Sequence, residues 1–248
     1  MLDLSHERMQ KMTTAVEQRG GKLGLHMNID KCKIMISNNW VDETEIQIGN
    51  AAIEMTEEFC YLGSYVTSDS SCDNDCQTRI GKASSIFGRL KLVLKNRHIS
   101  TTLKVRLYES LVMSTVLYGA ELWLLTVAQK KKLEAAHHKF QRRMMGISWK
   151  DKVSNESVRV QTQLEKIDLI IKKRRLRWLG HVLRMDNNRL PRQERKPGRP
   201  WENWIDTIQQ DLKSIGMTWE AAQQLAVNRE GWRWRVAQCV FDTGWTNV

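Results

Sequence analysis

The period of the hydrophobic residues changes along the chain, from two before about residue 68 to about 3.6 after it. In TEIQIGNAAIEM (44–55), apolar residues alternate with polar ones on both sides of a Gly-Asn pair, which predicts a β-hairpin. KCKIMI (31–36) and FCYLGSYV (59–66) predict two further strands, because β-branched and aromatic residues favour strands. A helix predicted over residues 5–20 precedes these strands and ends at a glycine pair.

The helical period persists through the rest of the chain. It predicts helices over residues 74–95, 101–123, 126–145, 155–163, 164–185, 202–214, 219–227 and 229–240. Thr126 and Gln129 fit a capping box at the start of the third of these helices. Few strands followed by many helices indicate an α+β fold that is predominantly α, with a small antiparallel hairpin sheet ahead of the helices.

Composition and charge divide the chain further. We expect a β-rich segment over 1–70, a helical segment over 71–150, a basic helical segment over 151–185, a linker over 186–200 and a Trp-rich helical tail over 201–248. The linker is polar and holds all three prolines. Six of the ten tryptophans fall in the tail, which predicts a small aromatic core that includes Trp232 and Trp234.

The bulk composition narrows the class of protein. A chain of 248 residues with 41% hydrophobic residues is globular rather than disordered. No apolar run is long enough to span a membrane, and MLDLSHERMQKM at the start lacks the features of a signal peptide. Five scattered cysteines suit a reducing compartment. We therefore expect an intracellular protein, either nuclear or cytoplasmic.

The positive charge is concentrated in one stretch. Between Lys172 and Pro200 there are eleven Lys or Arg and two acidic residues, so this stretch carries +9 of the net charge of +11. A local basic patch attracts polyanions, most often a phosphate backbone. The patch predicts contact with RNA and DNA, although a charge run is more often a solvated helix face.

Helical geometry divides the first half of this patch into two faces. At 100° per residue, one face carries Lys173, Arg177, His181 and Arg184, with Arg174 at its edge and Trp178 at the boundary. The opposite face is apolar, so the helix is expected to dock by that face and present about four cations. Lys172 and Arg175 fall on the apolar side, which predicts that they snorkel or that the helix starts later. The predicted nucleic-acid contacts continue into the linker with Arg195, Lys196 and Arg199.

One pattern raises the possibility of a metal site. Cys72 and Cys76 are spaced one helical turn apart, and His137–His138 would complete four ligands. Zinc sites usually show tighter pairs of ligands, so we predict no metal here.

Several segments together resemble the C-terminal half of reverse transcriptases of non-LTR, LINE-type retrotransposons. GLHMNIDKCKIM (24–35) is similar to the GLxxNxxKT block that follows the catalytic aspartates, and FCYLGSYV (59–66) is similar to the FxYLG primer-grip hairpin. RIGKASSIFGRL (79–90), VRLYESLVMSTVLYGAELW (105–123) and RRLRWLGHVLRM (174–185) resemble the thumb and the C-terminal region. The resemblance therefore implies the end of the palm over 1–70 and the thumb over 71–150.

The resemblance also implies roles for individual residues. Lys31 matches the lysine that lies beside the incoming nucleotide in the family, so it is a weak catalytic candidate. Tyr61, Leu62 and Gly63 match the primer grip, while the structural alternative places Tyr61 in the core of a plain strand. For Tyr118 and Trp123 in YGAELW we expect packing in the thumb core.

One departure from the family decides what activity to expect. Such polymerases hold two Mg²⁺ ions with aspartates, two of them in a YADD box, and no such box occurs in this sequence. We expect a fragment of an RNA-directed DNA polymerase that retains primer- and template-binding parts, binds no cofactor itself and needs a missing upstream polymerase region. The alternative is a non-enzymatic, sequence-tolerant RNA- or DNA-binding protein, or an inactive relic.

Overall fold

The computed structural model describes residues 5–36, 45–69, 71–186 and 204–238. Its helices outnumber its short strands, so the prediction of an α+β fold that is predominantly α is confirmed. The chain divides into two compact units, residues 1–75 and 76–248. Each unit is built around apolar residues of its own.

The first unit combines one helix with three strand pairs. Helix α1 (His6–Gly21) precedes a 3₁₀ turn (Ile29–Lys31), and the strands are β1 (Lys33–Ile34), β2 (Gln47–Ile48), β3 (Ala51–Ala52), β4 (Glu54–Met55), β5 (Glu58–Tyr61) and β6 (Ser64–Thr67). β2–β3 and β5–β6 are antiparallel pairs, whereas β1 and β4 pair in parallel. The hairpin predicted within residues 44–55 is thus present as β2–β3.

Alternation of apolar residues fixes the core of this unit. Ile46, Ile48 and Ile53 are buried and pack with partly buried residues of α1 and β1. Gln10 of α1 ties the helix to β2, because its side-chain amide donates to the carbonyl of Gln47 at 2.9 Å and accepts from the same residue's N–H at 2.8 Å. The helix therefore satisfies backbone groups of a short strand as well as covering its apolar face.

The single strand predicted over 59–66 from residue types is wrong, because this segment forms two strands around a turn. A hairpin is what the resemblance of this segment implied. Leu62 and Gly63 both have positive φ angles, of 49° and 82°, and β5 pairs with β6 across them. Two consecutive positive φ angles match the right-handed twist of an antiparallel hairpin. The residues around this turn are apolar or aromatic and so predict a continuous strand. Glycine is the one residue in the segment that indicates a turn.

The second unit is helical among its described residues. Its elements are α2 (Asp73–Arg89, which begins in the first unit), α3 (Lys91–Lys95), α4 (Thr101–Leu107), a π-helical turn (Tyr108–Met113), α5 (Ser114–Val116), a 3₁₀ turn (Ala120–Leu122), α6 (Val127–Met145), a 3₁₀ turn (Trp149–Asp151), α7 (Asn155–Thr162), α8 (Ile167–Leu183), α9 (Trp204–Lys213), α10 (Trp219–Val227) and α11 (Arg229–Gln238). The capping box of Thr126 and Gln129 is present. The helix predicted over 74–95 is interrupted at Leu90, and the one predicted over 101–123 gives way to the π-helical turn.

Helix α8 lies at the centre of the C-terminal part of this unit. It packs against α9, α10 and α11, and a shared core joins Leu176 and Leu179 of α8 to Ile208, Leu212 and Trp232. The predicted apolar face of α8 is therefore confirmed. Two predicted core residues are exposed instead: Trp234 is 65% exposed and Tyr118 is 49% exposed, whereas Trp123 is buried.

Candidate nucleic-acid interface

The structure places the basic residues of α8 in two groups, one engaged inside the unit and one facing outward. Five of its cations have partners within the described part of the unit. They are Lys172, Lys173, Arg174 and Arg175, and Arg184 at the end of the helix. The sequence pattern assigned three of these five to the outward face.

The two cations on the apolar side of α8 are buried with partners. Arg175 forms a two-point ion pair with Asp211 of α9, with Nε 2.7 Å from Oδ2 and Nη2 3.2 Å from Oδ1. Lys172 donates from Nζ to the hydroxyl of Ser214. The helix begins three residues later than predicted, at Ile167, but both residues still lie within it and on its apolar side. Their side chains do not snorkel to solvent, because α9 and the residue after it supply the oxygen atoms that these side chains need.

The remaining engaged cations hold neighbouring segments in place. Lys173 Nζ lies 2.6 Å from Oε1 of Glu165, ahead of the helix. Arg174 donates to the carbonyl of Leu117 at 2.7 Å, and Arg184 donates to that of Ala226 at 2.9 Å. Burial lowers the pKa values of both arginines from their ordinary value, although guanidinium groups stay charged at neutral pH.

Two of the predicted contact residues on α8 are exposed, Arg177 and His181. Trp178 is half-buried between them, and its ring centroid lies 5.2 Å from that of His181. This exposed group presents one permanent cation with two rings beside it. The predicted contacts Arg195, Lys196 and Arg199 lie outside the described residues.

The residues that match polymerase motifs lie in the first unit and are exposed. Lys31 ends the 3₁₀ turn, and its backbone N–H donates to Oδ1 of Asn28 at 3.2 Å. Tyr61 and Leu62 are 62% and 75% exposed at the tip of the β5–β6 hairpin. The interpretation of Tyr61 as a core residue is therefore wrong, because the turn that follows it carries its side chain outward. Primer contact by these residues stays a prediction.

The carboxylates and other metal-binding side chains offer no basis for metal chemistry in the described residues. No group of three or more His, Cys, Asp or Glu in those ranges is arranged to hold an ion. His137 uses both ring nitrogens elsewhere, with Nδ1 2.7 Å from the hydroxyl of Tyr108 and Nε2 3.0 Å from the carbonyl of Glu165.

A second basic surface, which the sequence analysis did not identify, lies on α2, α3 and α4. Between Cys76 and Tyr108 there are eight Lys or Arg and no acidic residue. Six of the eight are exposed and make no ion pair or side-chain hydrogen bond with any residue that the structure describes: Lys82, Arg89, Lys91, Lys95, Arg97 and Arg106. What marks this surface in the sequence is the absence of acidic residues over a long stretch, rather than a high density of basic residues.

Small residues occupy the outer side of α2 beside these cations. Gly81 and Gly88 are exposed, neither has a positive φ angle, and a Cβ atom added at either would meet nothing within 4 Å. Each glycine in a helix costs about 1 kcal/mol relative to alanine. Neither packing nor backbone conformation therefore requires glycine at these positions.

Buried polar residues between α6 and its neighbours form another group that sequence reasoning missed. Burial lowers the pKa of His137 to about 4, with the Glu165 carbonyl opposing the shift, and burial raises the pKa of Tyr108 well above its usual range. His138 lies 3.0 Å from Glu134 and 3.1 Å from Arg159, and its pKa is lowered by burial against the effect of Glu134. This network joins α6 to α7 and to the π-helical turn.

Comparison with known proteins gives one similarity. Over 222 residues, which are 82% of this chain and 78% of the relative, the sequence is 25% identical to an uncharacterized transposon-derived protein of Caenorhabditis elegans. No sequence model of a protein family matches the chain. No solved structure matches it either. The similarity supports a transposon-related origin.

None of the helices within the described ranges has the length and apolar character needed to cross a membrane. The four cysteines described there are free thiols.

Proposed function

We propose that this chain is the nucleic-acid-binding C-terminal part of a retrotransposon reverse transcriptase, and that it holds RNA and DNA through the phosphate backbone without catalysing polymerisation itself. The observation that carries this proposal is the acid-free stretch from Cys76 to Tyr108 with its exposed, unpaired cations among the described residues. The transposon-related origin supports the same conclusion.

The binding mechanism follows from where these cations lie. Lys82 and Arg89 are seven residues apart on α2, so they share one side of the helix about two turns apart. Lys91 and Lys95 continue the charge along α3, and Arg97 follows in the segment before α4. When such cations approach a nucleic acid, they displace the counterions condensed around its phosphates, which gives affinity that depends on salt and not on base sequence.

Helix α8 has a different part in this proposal. Most of its cations hold α9, α10 and the segment before α6 in place, so it positions the unit rather than forming the main contact surface. Arg177 and His181 add a smaller exposed contact, with Trp178 beside them. The primer grip at Tyr61 and Leu62 contacts the primer strand in this proposal, because an exposed leucine at a positive φ angle is costly for the hairpin alone.

Binding of the full chain to a fluorescent RNA–DNA primer–template at several salt concentrations tests the proposal. The variant Lys91→Ala/Lys95→Ala/Arg97→Ala removes three cations with no described partner. We expect weaker binding and a log–log salt slope reduced by about 2 to 3, since each lost phosphate contact removes about 0.7 to 0.9.

A matched control removes the same charge elsewhere. Arg8, Arg19 and Lys22 are exposed in and after α1, so their triple alanine variant has the same net charge. Equal losses in both triple variants would indicate general charge attraction and would contradict the assigned surface. Nucleotide incorporation by the purified chain with Mg²⁺ would contradict the proposed lack of polymerase activity.

A further inference from the structure

Trp149 is the most solvent-exposed tryptophan in the described ranges. Its side chain is 83% exposed, whereas Trp123 and Trp232 are 4% and 2% exposed. Burying an aromatic ring of this size is strongly favourable, so a ring left in water gives up that gain. The surface around this ring is therefore a candidate binding site.

The turn that carries Trp149 is held by hydrogen bonds at its centre. Ser148 donates its backbone N–H to Oδ2 of Asp151 at 2.6 Å, and its hydroxyl accepts from the N–H of Lys150 at 3.2 Å. Lys152 closes the turn with a φ angle of 51°, in the left-handed region that a lysine adopts only at a cost. These contacts fix the backbone on both sides of the indole.

Both flanks of the turn are anchored to α6. Gly146 ends this helix in the left-handed conformation, and the N–H of Ile147 donates to the carbonyl of Arg142 at 2.9 Å. The guanidinium of Arg142 then reaches beyond the turn, where it donates to Oδ1 of Asn155 at 3.0 Å and also to the carbonyl of Val153. The exposed ring is thus presented from a fixed backbone rather than from a loose loop.

One cation lies beside this ring in space, and two others lie near it in the sequence. The Nζ of Lys150 lies 5.9 Å from the centroid of the Trp149 ring. Lys152 follows in the same turn, and Arg143 is exposed in the last turn of α6. The turn carries Lys150 and Lys152 against one acidic residue, Asp151, so its formal net charge is positive.

We propose that Trp149 is a stacking platform for an unpaired base of single-stranded nucleic acid, with Lys150, Lys152 and Arg143 holding the adjacent phosphates. This inference rests on the proposed nucleic-acid-binding function and assigns one contact within it. Every base has an aromatic face, so such a platform tolerates any sequence. A base in a duplex is already stacked and cannot use the ring.

The surroundings favour nucleic acid over a protein partner. Protein interfaces place an aromatic anchor among other apolar residues that exclude water. The immediate neighbours of Trp149 in the turn are Ser148, Lys150, Asp151 and Lys152, which are all exposed and polar. An aromatic ring among cations is the composition of single-strand binding grooves.

The test measures binding of the full chain to a single-stranded oligonucleotide and to a duplex of the same length at fixed salt. Trp149→Ala is expected to weaken binding of the single strand by about 5- to 100-fold, the range of one lost base–aromatic stack, and to leave duplex binding unchanged. Trp149→Phe keeps a ring and is expected to retain most of the affinity. Trp234→Ala is the matched control, because Trp234 is also exposed, at 65%.

The outcomes separate this inference from the function on which it rests. Wild-type affinity in Trp149→Ala, together with loss of binding in the Lys91, Lys95 and Arg97 variant, would overturn the platform and leave the proposed function standing. Equal losses for single strand and duplex would also overturn it, since a phosphate contact or a folding defect would then be the cause. If the wild-type chain binds neither nucleic acid, both proposals fail.

Discussion

The indole nitrogen of Trp232 donates a hydrogen bond to the backbone carbonyl of Leu176 at 2.9 Å, which joins α11 to the middle of α8. The ring passes over Gly180, one turn further along α8, where a Cβ atom would lie 2.2 Å from the same nitrogen. Trp232 is 2% exposed and Leu176 fully buried. The glycine therefore allows a buried tryptophan to reach the helix backbone.

Gly180→Ala should destabilise the second unit by about 3 kcal/mol, as overpacking of a rigid core does. The bulky indole cannot move away without losing its hydrogen bond and its packing. Urea denaturation followed by circular dichroism measures the change. Gly81→Ala is the control, since a Cβ atom there meets nothing within 4 Å and helix propensity should add about 1 kcal/mol of stability. Similar effects in the two variants would contradict the assigned contact.

Acidification should destabilise the chain through His137. The folded pKa is about 4 and the ordinary value is 6.5, so between these pH values the unfolded chain binds a proton that the folded chain excludes. The contribution of His137 to stability is complete above about pH 6.5 and is lost as the pH falls to about 4, by about 3 kcal/mol in total. His137→Gln removes this titration and leaves His138 in place. Unfolding free energies at pH 7.5 and pH 5 should therefore differ less in the variant than in the wild type; an equal difference would contradict the assignment.

Removing one partner of the Arg175–Asp211 pair should be costly. The side chains are 5% and 12% exposed, so Arg175→Ala leaves a carboxylate largely out of water with no counter-charge. We expect a loss of about 3 to 5 kcal/mol, and Arg175→Met with Asp211→Leu should recover most of it. Thermal unfolding of the single and double variants gives the comparison. Arg177→Ala, on the exposed side of the same helix, should change stability by less than about 0.5 kcal/mol.

The hairpin tip should respond in opposite directions to changes at its two central residues. Gly63 has a φ angle of 82°, so Gly63→Ala should destabilise the hairpin by about 1 kcal/mol or more. Leu62 has a φ angle of 49°, which asparagine adopts more readily, so Leu62→Asn should stabilise it by about 0.5 to 1 kcal/mol. Hydrogen exchange of the β5 and β6 amides reports both effects. If Leu62→Asn also weakens primer–template binding, the tip has a role beyond folding.

The sequence by itself determined the order and type of most elements. Periodicity placed α8, α9, α10 and α11 within a few residues of their observed bounds, and the capping box at Thr126 located the start of α6. These signals are local, because a helix cap or a hydrophobic stripe depends on residues within a few turns. The hairpin at 58–67 was harder to predict from residue types, because its turn carries leucine where asparagine or glycine is usual.

Only the tertiary structure decided which cations are available to a ligand. By sequence, the dense run on α8 was the obvious surface, yet Arg174, Arg175 and Arg184 meet oxygen atoms of Leu117, Asp211 and Ala226, which lie 36 to 57 residues away. A helical projection of α8 cannot show those partners, because they belong to other segments of the chain. The cations of α2 and α3 form a sparser run that lacks such partners within the described residues. The density of charged residues can be read from the sequence. Whether a charged side chain is free to bind a ligand depends on which groups the fold places beside it.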